Sequence, residues 1–395
     1  MFASLYASEV LKVLYAPQKA FKEIIQNARY LGPAIILVAY IIANFGVGYA
    51  FLSRIYVEET YPQSSLPDYW IQNTTLWTAS PNVEITQNLV DIINGSYYGN
   101  SSLQFSATNV LQVWMQLNNV GPVNCSGPEG FKNVSLRVKQ VSPNVVPENV
   151  SIYLFSANSS EYFFHDLTSD FSDPNSSVNV WNNLTIPVNT PAWSSSSASA
   201  DWSNITGLKM DLSWHGTSNV TLLLDGLFFR GIYTSGLQIV DITYYFNTAL
   251  TSFMQFVVNW ILIAGILYLL TKVFKAVTIW KVLLILIGFS LVTLVVLAIV
   301  NIISVYAIAP PVYYPLELLG GTLAESSAAE AVILQETNLI TLVTTYSEFA
   351  FAFWGIGLVT IAFHYLTNLA WIKSAFMAFI TYWVAFFVTR IILSI

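Results

Sequence analysis

The stretch SNVTLLLDGLFFRG, residues 218–231, decides the fold: it reads as the last strand of an exported β-sandwich, and its Asn219-Val-Thr triplet is an acceptor for N-glycosylation. The chain around it has another character. Of its 395 residues 55% are hydrophobic and 9% charged, against about 25% charged in an ordinary soluble domain, so much of the surface is expected to face lipid. The formal net charge is −7, with no block of Lys or Arg to neutralise a phosphate backbone, which excludes nucleic acid as a partner. A single cysteine, Cys125, excludes an intramolecular disulfide and any thiolate metal centre that needs two sulfurs.

Working outward from residues 218–231, apolar runs occur at Leu31–Leu52, Ala249–Leu270, Val282–Ile308, in a segment ending near His364, and at Ala370–Leu393. Each reaches the roughly 20 residues a helix needs to cross hydrocarbon. Five transmembrane helices are expected, and between the first and second lies a long segment rich in Asn, Ser, Thr and Trp. The expected organisation is therefore residues 1–30 as cytoplasmic amphipathic helices, 31–52 as the first span, 53–241 as an extracellular glycosylated β-sandwich domain, and 242–395 as spans two to five with an outer loop at 309–338.

Charge sets the orientation. Lys12, Lys19, Lys22 and Arg29 precede the first span, Lys272, Lys275 and Lys281 separate the second from the third, and Lys373 lies between the fourth and fifth. Those loops are expected to be cytoplasmic, with the inserted domain and the C-terminus outside. Arg390, near the outer end, dissents. Acceptor triplets agree with the charge: Asn73, Asn94, Asn100, Asn124, Asn133, Asn149, Asn158, Asn175, Asn183, Asn204 and Asn219 all fall inside the insert. An Asn/Ser/Thr-rich segment generates such triplets by chance, but chance does not explain their match to the charge-derived topology. Many acceptors without disulfides fit an archaeal cell surface better than a eukaryotic lumen. No cleavable leader is apparent; instead Pro17 opens PQKAFKEIIQNARY, whose Phe21, Ile24 and Ile25 share one side, and a helix lying on the inner membrane surface is expected.

Within the insert, period-two alternation marks strands: Val134, Leu136 and Val138; Leu208, Met210, Leu212 and Trp214; Leu111, Val113, Met115 and Leu117. Strands with one dry and one wet face predict two antiparallel sheets packed face to face. Seven tryptophans of the insert (Trp70, Trp77, Trp114, Trp181, Trp193, Trp202 and Trp214) can fill a core or stack on sugar rings. Trp114 lies in the polar register between Val113 and Met115, which makes it the candidate ligand-stacking residue. Calcium requires six or more oxygens, and Asp225 with Asp166, Asp170 and Asp173 of the segment HDLTSDFSD is the candidate set, without the regular spacing of an EF-hand.

The succession GNSSLQF, FKNVSLRVK, WNNLTIPVNTPAW, ADWSNITGLKMDLSW and VTLLLDGLFFRG resembles the jelly-roll fold of carbohydrate-binding modules and related galactose-binding-like domains, over about residues 60–232. The closing pair of strands carries most of the likeness. The resemblance implies saccharide binding on a polar face or edge loops, and a structural calcium that includes a last-strand Asp, the position of Asp225. In the helical part, LYAPQKAFKEII, the inner loop KVFKAVTIWK and the helix pair joined by HYLTNLAWIKSA resemble the five-span Yip-domain family. Eukaryotic members of that family act in membrane trafficking, and the large insert here departs from the short loop usual between the first two spans.

No phosphate loop, metal-ligand pair or nucleophile elbow occurs, and His165, His215 and His364 are far apart in sequence, so an enzyme is not expected. The leading expectation is a non-enzymatic membrane protein displaying a jelly-roll domain for a surface glycan or a surface protein, with the lipid bilayer as its other partner. One alternative is an accessory subunit of a larger membrane complex. A weaker one is a transporter, for which Glu348 is the one candidate carboxylate, placed at the outer interface when the fourth span starts near Phe349.

Overall fold

The five apolar runs are helical, the third with a break at Leu291, and the segments Leu31–Leu52, Ile242–Val273, Trp280–Ile308, Leu323–Thr367 and Trp371–Thr389 are long and apolar enough to cross a membrane. The computed structural model describes residues 2–63, 68–172 and 178–393, so Asp173 and Asn175 lie outside the described residues. The chain divides into two units. Residues 1–55, 235–312 and 334–395 make the first, and residues 56–234 and 313–333 the second. The second unit therefore differs from the expected 53–241 by recruiting a distant segment.

The first unit is a helical bundle of α1 (Phe2–Tyr15), α2 (Pro17–Gln26), α3 (Leu31–Leu52), α4 (Ile242–Val273), α5 (Trp280–Ser290), α6 (Val292–Ile308), α7 (Leu323–Thr367, whose residues from 334 onward belong here) and α8 (Trp371–Leu393). Pro17 occupies the first turn of α2, where its missing N–H costs nothing. Asp241 starts α4 by accepting hydrogen bonds from the Thr243 and Tyr244 amides at 2.9 and 3.3 Å. Gly32 permits close packing of α3: a Cβ there would stand 1.9 Å from the Phe289 ring.

Two expectations about this unit are corrected. The amphipathic α2 does not offer its apolar face to lipid, because Ala20, Phe21 and Ile24 are buried in the same core as Ile36, Leu283 and Leu286. The outer loop expected at 309–338 is largely absent. Instead α7 runs unbroken for 45 residues, since no Gly or Pro interrupts the chain between Leu323 and Glu348.

The second unit is an antiparallel β-sandwich. Its strands are β1 (Ile55–Tyr61), β2 (Trp77–Ala79), β3 (Glu84–Asn88), β4 (Ser102–Val123), β5 (Asn133–Ser142), β6 (Asn149–Ser156), β7 (Asn158–Asp166), β8 (Asn182–Pro187), β9 (Ser194–Ser195), β10 (Ile205–Ser235) and β11 (Val312–Tyr314). The closing pair of strands expected from the sequence is in fact one strand, β10, which pairs with β4 from Ile205↔Val123 to Leu224↔Leu103. The segment His215-Gly216-Thr217 looks like a hairpin turn but sits at register shifts between Ser213 and Val220. Such irregularities bend a strand without ending it.

That long ribbon carries both layers. Its first half is flanked by β6, β7 and β9 on one side and β2 on the other; its second half by β5 and β8 on one side and β3 on the other. Inward residues of the two groups, among them Met115, Leu117, Ile152 and Met210 with Phe105, Leu136, Val138 and Leu224, form a single buried core. Two layers sharing one core define the sandwich.

The distant segment is held by charge. Arg230 of β10 bonds Glu58 of β1 through Nε and Nη2 at 2.8 and 2.6 Å, and Glu317 of the short helix Leu316–Gly320 at 2.8 and 3.0 Å. Glu58 also accepts from the amides of Gly231 and Leu316. Arg137 bonds the Tyr98 hydroxyl at 2.6 Å and pairs with Glu325 in the first turn of α7.

Candidate functional site

The outward face of the β4/β10/β6/β7 layer follows from strand alternation. Leu208, Met210 and Leu212 point into the core, so Lys209 and Asp211 must point out. The register then fixes their neighbours. Lys209 lies between Gln116 of β4 and Tyr153 of β6, Asp211 between Trp114 and Ser151, and Tyr153 is followed by Phe164 of β7.

These residues form an aromatic platform with a polar interior. The Lys209 ammonium is 5.4 Å from the Trp114 ring centre and 5.2 Å from that of Tyr153, and it pairs with Asp211 at 3.2 Å. Each such cation–ring contact is worth about 0.5–1 kcal/mol at a partly open site. The Tyr153 ring packs at 5.4 Å from Tyr162 and 5.2 Å from Phe164. Gln112 donates to Asp211 at 2.6 Å, and Gln116 donates to Asn118 at 2.7 Å. Trp114, Tyr153, Tyr162 and Phe164 are all half-buried, with part of each side chain still open. Burial, then the Asp211 and Tyr162 charges, hold the Tyr153 phenol above its ordinary pKa, so it stays a neutral donor. Open rings beside fixed carboxamides and a carboxylate can take a ligand that has both C–H faces and hydroxyls.

Trp114 thus stands on the open face, as its register implied. Tyr153, Tyr162 and Phe164 were missed, although Ser151/Tyr153 and Tyr162/Phe164 alternate visibly with buried neighbours. The other tryptophans stand elsewhere: Trp70, Trp77, Trp193 and Trp214 are buried, Trp202 packs on the same core, and Trp181 packs on a separate cluster with Ile93 and Tyr97.

A second cluster surrounds Asp225, which is fully buried. Its carboxylate accepts from the amides of Ile93 at 2.9 Å and Gly226 at 2.8 Å. Beside it is Asp68, equally buried, held in the left-handed region at φ 55° and bonded to Gln72 at 3.0 Å. Asp68 Oδ1 has no partner among the described residues. Burial pushes the Asp225 carboxyl up to about 7 against the pull of the two amides and Arg137, and burial with the adjacent Asp225 charge pushes Asp68 well above the carboxylate range.

The expected calcium set is not assembled. Among the described residues no group of three or more His, Cys, Asp or Glu side chains could hold a metal. Asp166 instead caps the following turn through the Thr168 hydroxyl and amide, which hold its carboxyl below its ordinary range, and Asp170 lies in the short helix Thr168–Ser172. The carboxylate that accompanies Asp225 is Asp68. Two adjacent buried carboxylates, one oxygen of which has no donor among the described residues, supply only part of the six or more oxygens that a calcium ion needs.

No family model matches the chain, and no curated protein matches it in sequence. Among solved structures it is similar to the family 11 carbohydrate-binding module of cellulosomal cellulase Lic26A-Cel5E of Clostridium thermocellum, at 13% identity over 42% of this chain and 92% of that one, with a TM-score of 0.28. It is also similar to a family 30 carbohydrate-binding module, at 12% identity over 39% of this chain and 77% of that one, TM-score 0.28. A third is a β-1,2-glucanase from Parabacteroides distasonis, at 15% identity over 41% of this chain and 25% of that one, TM-score 0.28. Scores at this level carry no argument about ligand or site; the sandwich stands on its own strand pairing and shared core.

Proposed function

We propose that this chain is a multi-pass membrane protein of the five-span Yip-domain type whose β-sandwich, displayed outside the cell, binds glycan on the face of Trp114, Tyr153, Phe164, Lys209 and Asp211. The observation that carries the reading is the juxtaposition of half-open aromatic rings with fixed hydrogen-bonding groups on one flat sheet face. Sugars present the matching chemistry, apolar C–H patches edged by hydroxyls. The orientation rests on the distribution of Lys and Arg, and it is supported by the acceptor asparagines: of the ten that are described, none is buried. The protein acts by binding and carries out no catalysis. A structural calcium shared by Asp68 and Asp225, with its remaining oxygens supplied by backbone or water, would neutralise the buried pair and tie Asp68 to the last strand.

Trp114→Ala and Tyr153→Ala in the full-length protein, solubilised in detergent and measured against an immobilised polysaccharide panel, are each expected to weaken glycan binding at least tenfold, about 1.4 kcal/mol. Lys209→Met should weaken it less. Unchanged binding in both aromatic variants would remove this face from the function.

A further inference from the structure

The helical unit holds a partly open cavity of about 230 Å³ whose wall is drawn from α3, α4, α6, α7 and α8. It has room for on the order of fifteen water molecules. Four carboxamides stand on this wall, Asn44, Gln255, Asn259 and Asn301, in helices whose composition is otherwise that of hydrocarbon-facing spans. Asn44 lies about two turns before the end of α3, and Asn301 about two turns before the end of α6, well inside both apolar segments.

Two of the four are already engaged. The Tyr40 hydroxyl donates to Gln255 Oε1 at 2.9 Å, and the Thr389 hydroxyl donates to Asn259 Oδ1 at 2.9 Å. The others are left with a buried acceptor, Asn301 Oδ1, that has no partner among the described residues, and a buried donor, Asn44 Nδ2, that has only the Tyr40 hydroxyl beside it. A buried amide group without a partner is costly in an apolar setting, so the cavity is built for an occupant that both accepts and donates. The rest of the wall mixes apolar side chains such as Leu294 and Phe351 with the hydroxyls of Tyr40, Tyr382 and Thr389. Among the described lining residues none is Lys, Arg or His, and Glu348 contributes a carboxylate, so the wall disfavours an anion. Glu348 is the one His, Cys, Asp or Glu among the described lining residues, which does not make a metal site.

We propose that this cavity binds a small uncharged polyhydroxy group, either a free polyol or monosaccharide or the headgroup of a glycolipid. A hydroxyl donates and accepts at once, which answers both Asn44 and Asn301, while C–H surface matches the aliphatic and aromatic remainder of the wall. The site is separate from the sheet face and does not depend on glycan binding there.

The test uses the full-length chain in a detergent without a sugar headgroup, carrying Trp114→Ala and Tyr153→Ala so that the sheet face is silent. Equilibrium dialysis against radiolabelled glycerol and glucose reads the free-solute source, and native mass spectrometry for a retained glycolipid reads the lipid source. One equivalent of polyol, monosaccharide or glycolipid per chain is expected, with at least a tenfold loss in both Asn44→Leu and Asn301→Leu. In an otherwise native sheet face, the same two substitutions should leave polysaccharide binding unchanged, which shows that the variants are folded. Retention of none of these probes, or binding unaffected by either substitution, would overturn the proposal.

Discussion

Chelating calcium is expected to make the β-sandwich lose stability as the pH rises from about 4 to about 7. In the native state the Asp225 carboxyl is raised from about 3.8 to about 7, so over that window the folded chain holds a proton that the unfolded chain has released. Stability falls wherever the native state binds more protons, and a shift of this size corresponds to on the order of 4 kcal/mol. The stabilisation is complete below the ordinary carboxylate range and is lost by the time the pH passes 7. If calcium occupies the Asp68 and Asp225 pair as proposed, it competes with the proton there, so in excess calcium the loss between pH 4 and 7 should vanish and stability should instead decline below pH 4. Near-UV circular dichroism during thermal unfolding of the full chain, with and without chelator, measures the difference. Superimposable pH profiles would mean that no cation occupies the pair.

Replacing Arg230 should cost the sandwich about 3–5 kcal/mol. The Arg230→Ala change removes the cation shared by Glu58, whose side chain is 2% exposed, and Glu317, which is 20% exposed. Two carboxylates then face each other in a confined space, with Glu58 still pinned by the Gly231 and Leu316 amides. Arg230→Lys should recover only part of the loss, because a single ammonium cannot reproduce four hydrogen bonds in the planar fork. The same unfolding experiment decides it. A change below about 1 kcal/mol in Arg230→Ala would show that the segment 313–333 is held by packing and not by this charge network.

What the sequence disclosed divides along a physical line. The five apolar helices were legible because hydrocarbon selects residues one at a time, so a run such as Val282–Ile308 declares itself without reference to any partner. The same is true of the outward register of Trp114, fixed by its neighbours Val113 and Met115. The continuity of β10 was hidden because His215-Gly216-Thr217 has turn composition, and only pairing with β4 carries the strand through it. Pairing also brings Tyr153 and Phe164 to Trp114, across strands separated by tens of residues. Asp68 and Asp225 meet through the fold of a segment with no periodicity to follow. Likewise Glu58 and Glu317 are 259 positions apart in the chain (317 − 58) and share Arg230 only once β1 and the segment after β11 have closed on β10.

The interior of the helical unit was not legible: Glu348 was expected at the outer interface, and its arrangement with Asn301 around one cavity depends on five helices at once. The unbroken α7 also moves Glu348 from the expected start of a span to the interior of a 45-residue helix.

The most direct test of the glycan-binding face is hydroxyl-radical footprinting of the full-length protein with and without a bound polysaccharide. Protection is predicted at Trp114, Tyr153, Tyr162 and Phe164, with the buried Trp77 and Trp214 unchanged. Protection elsewhere on the sandwich, with those four side chains as reactive as in the free protein, would contradict it.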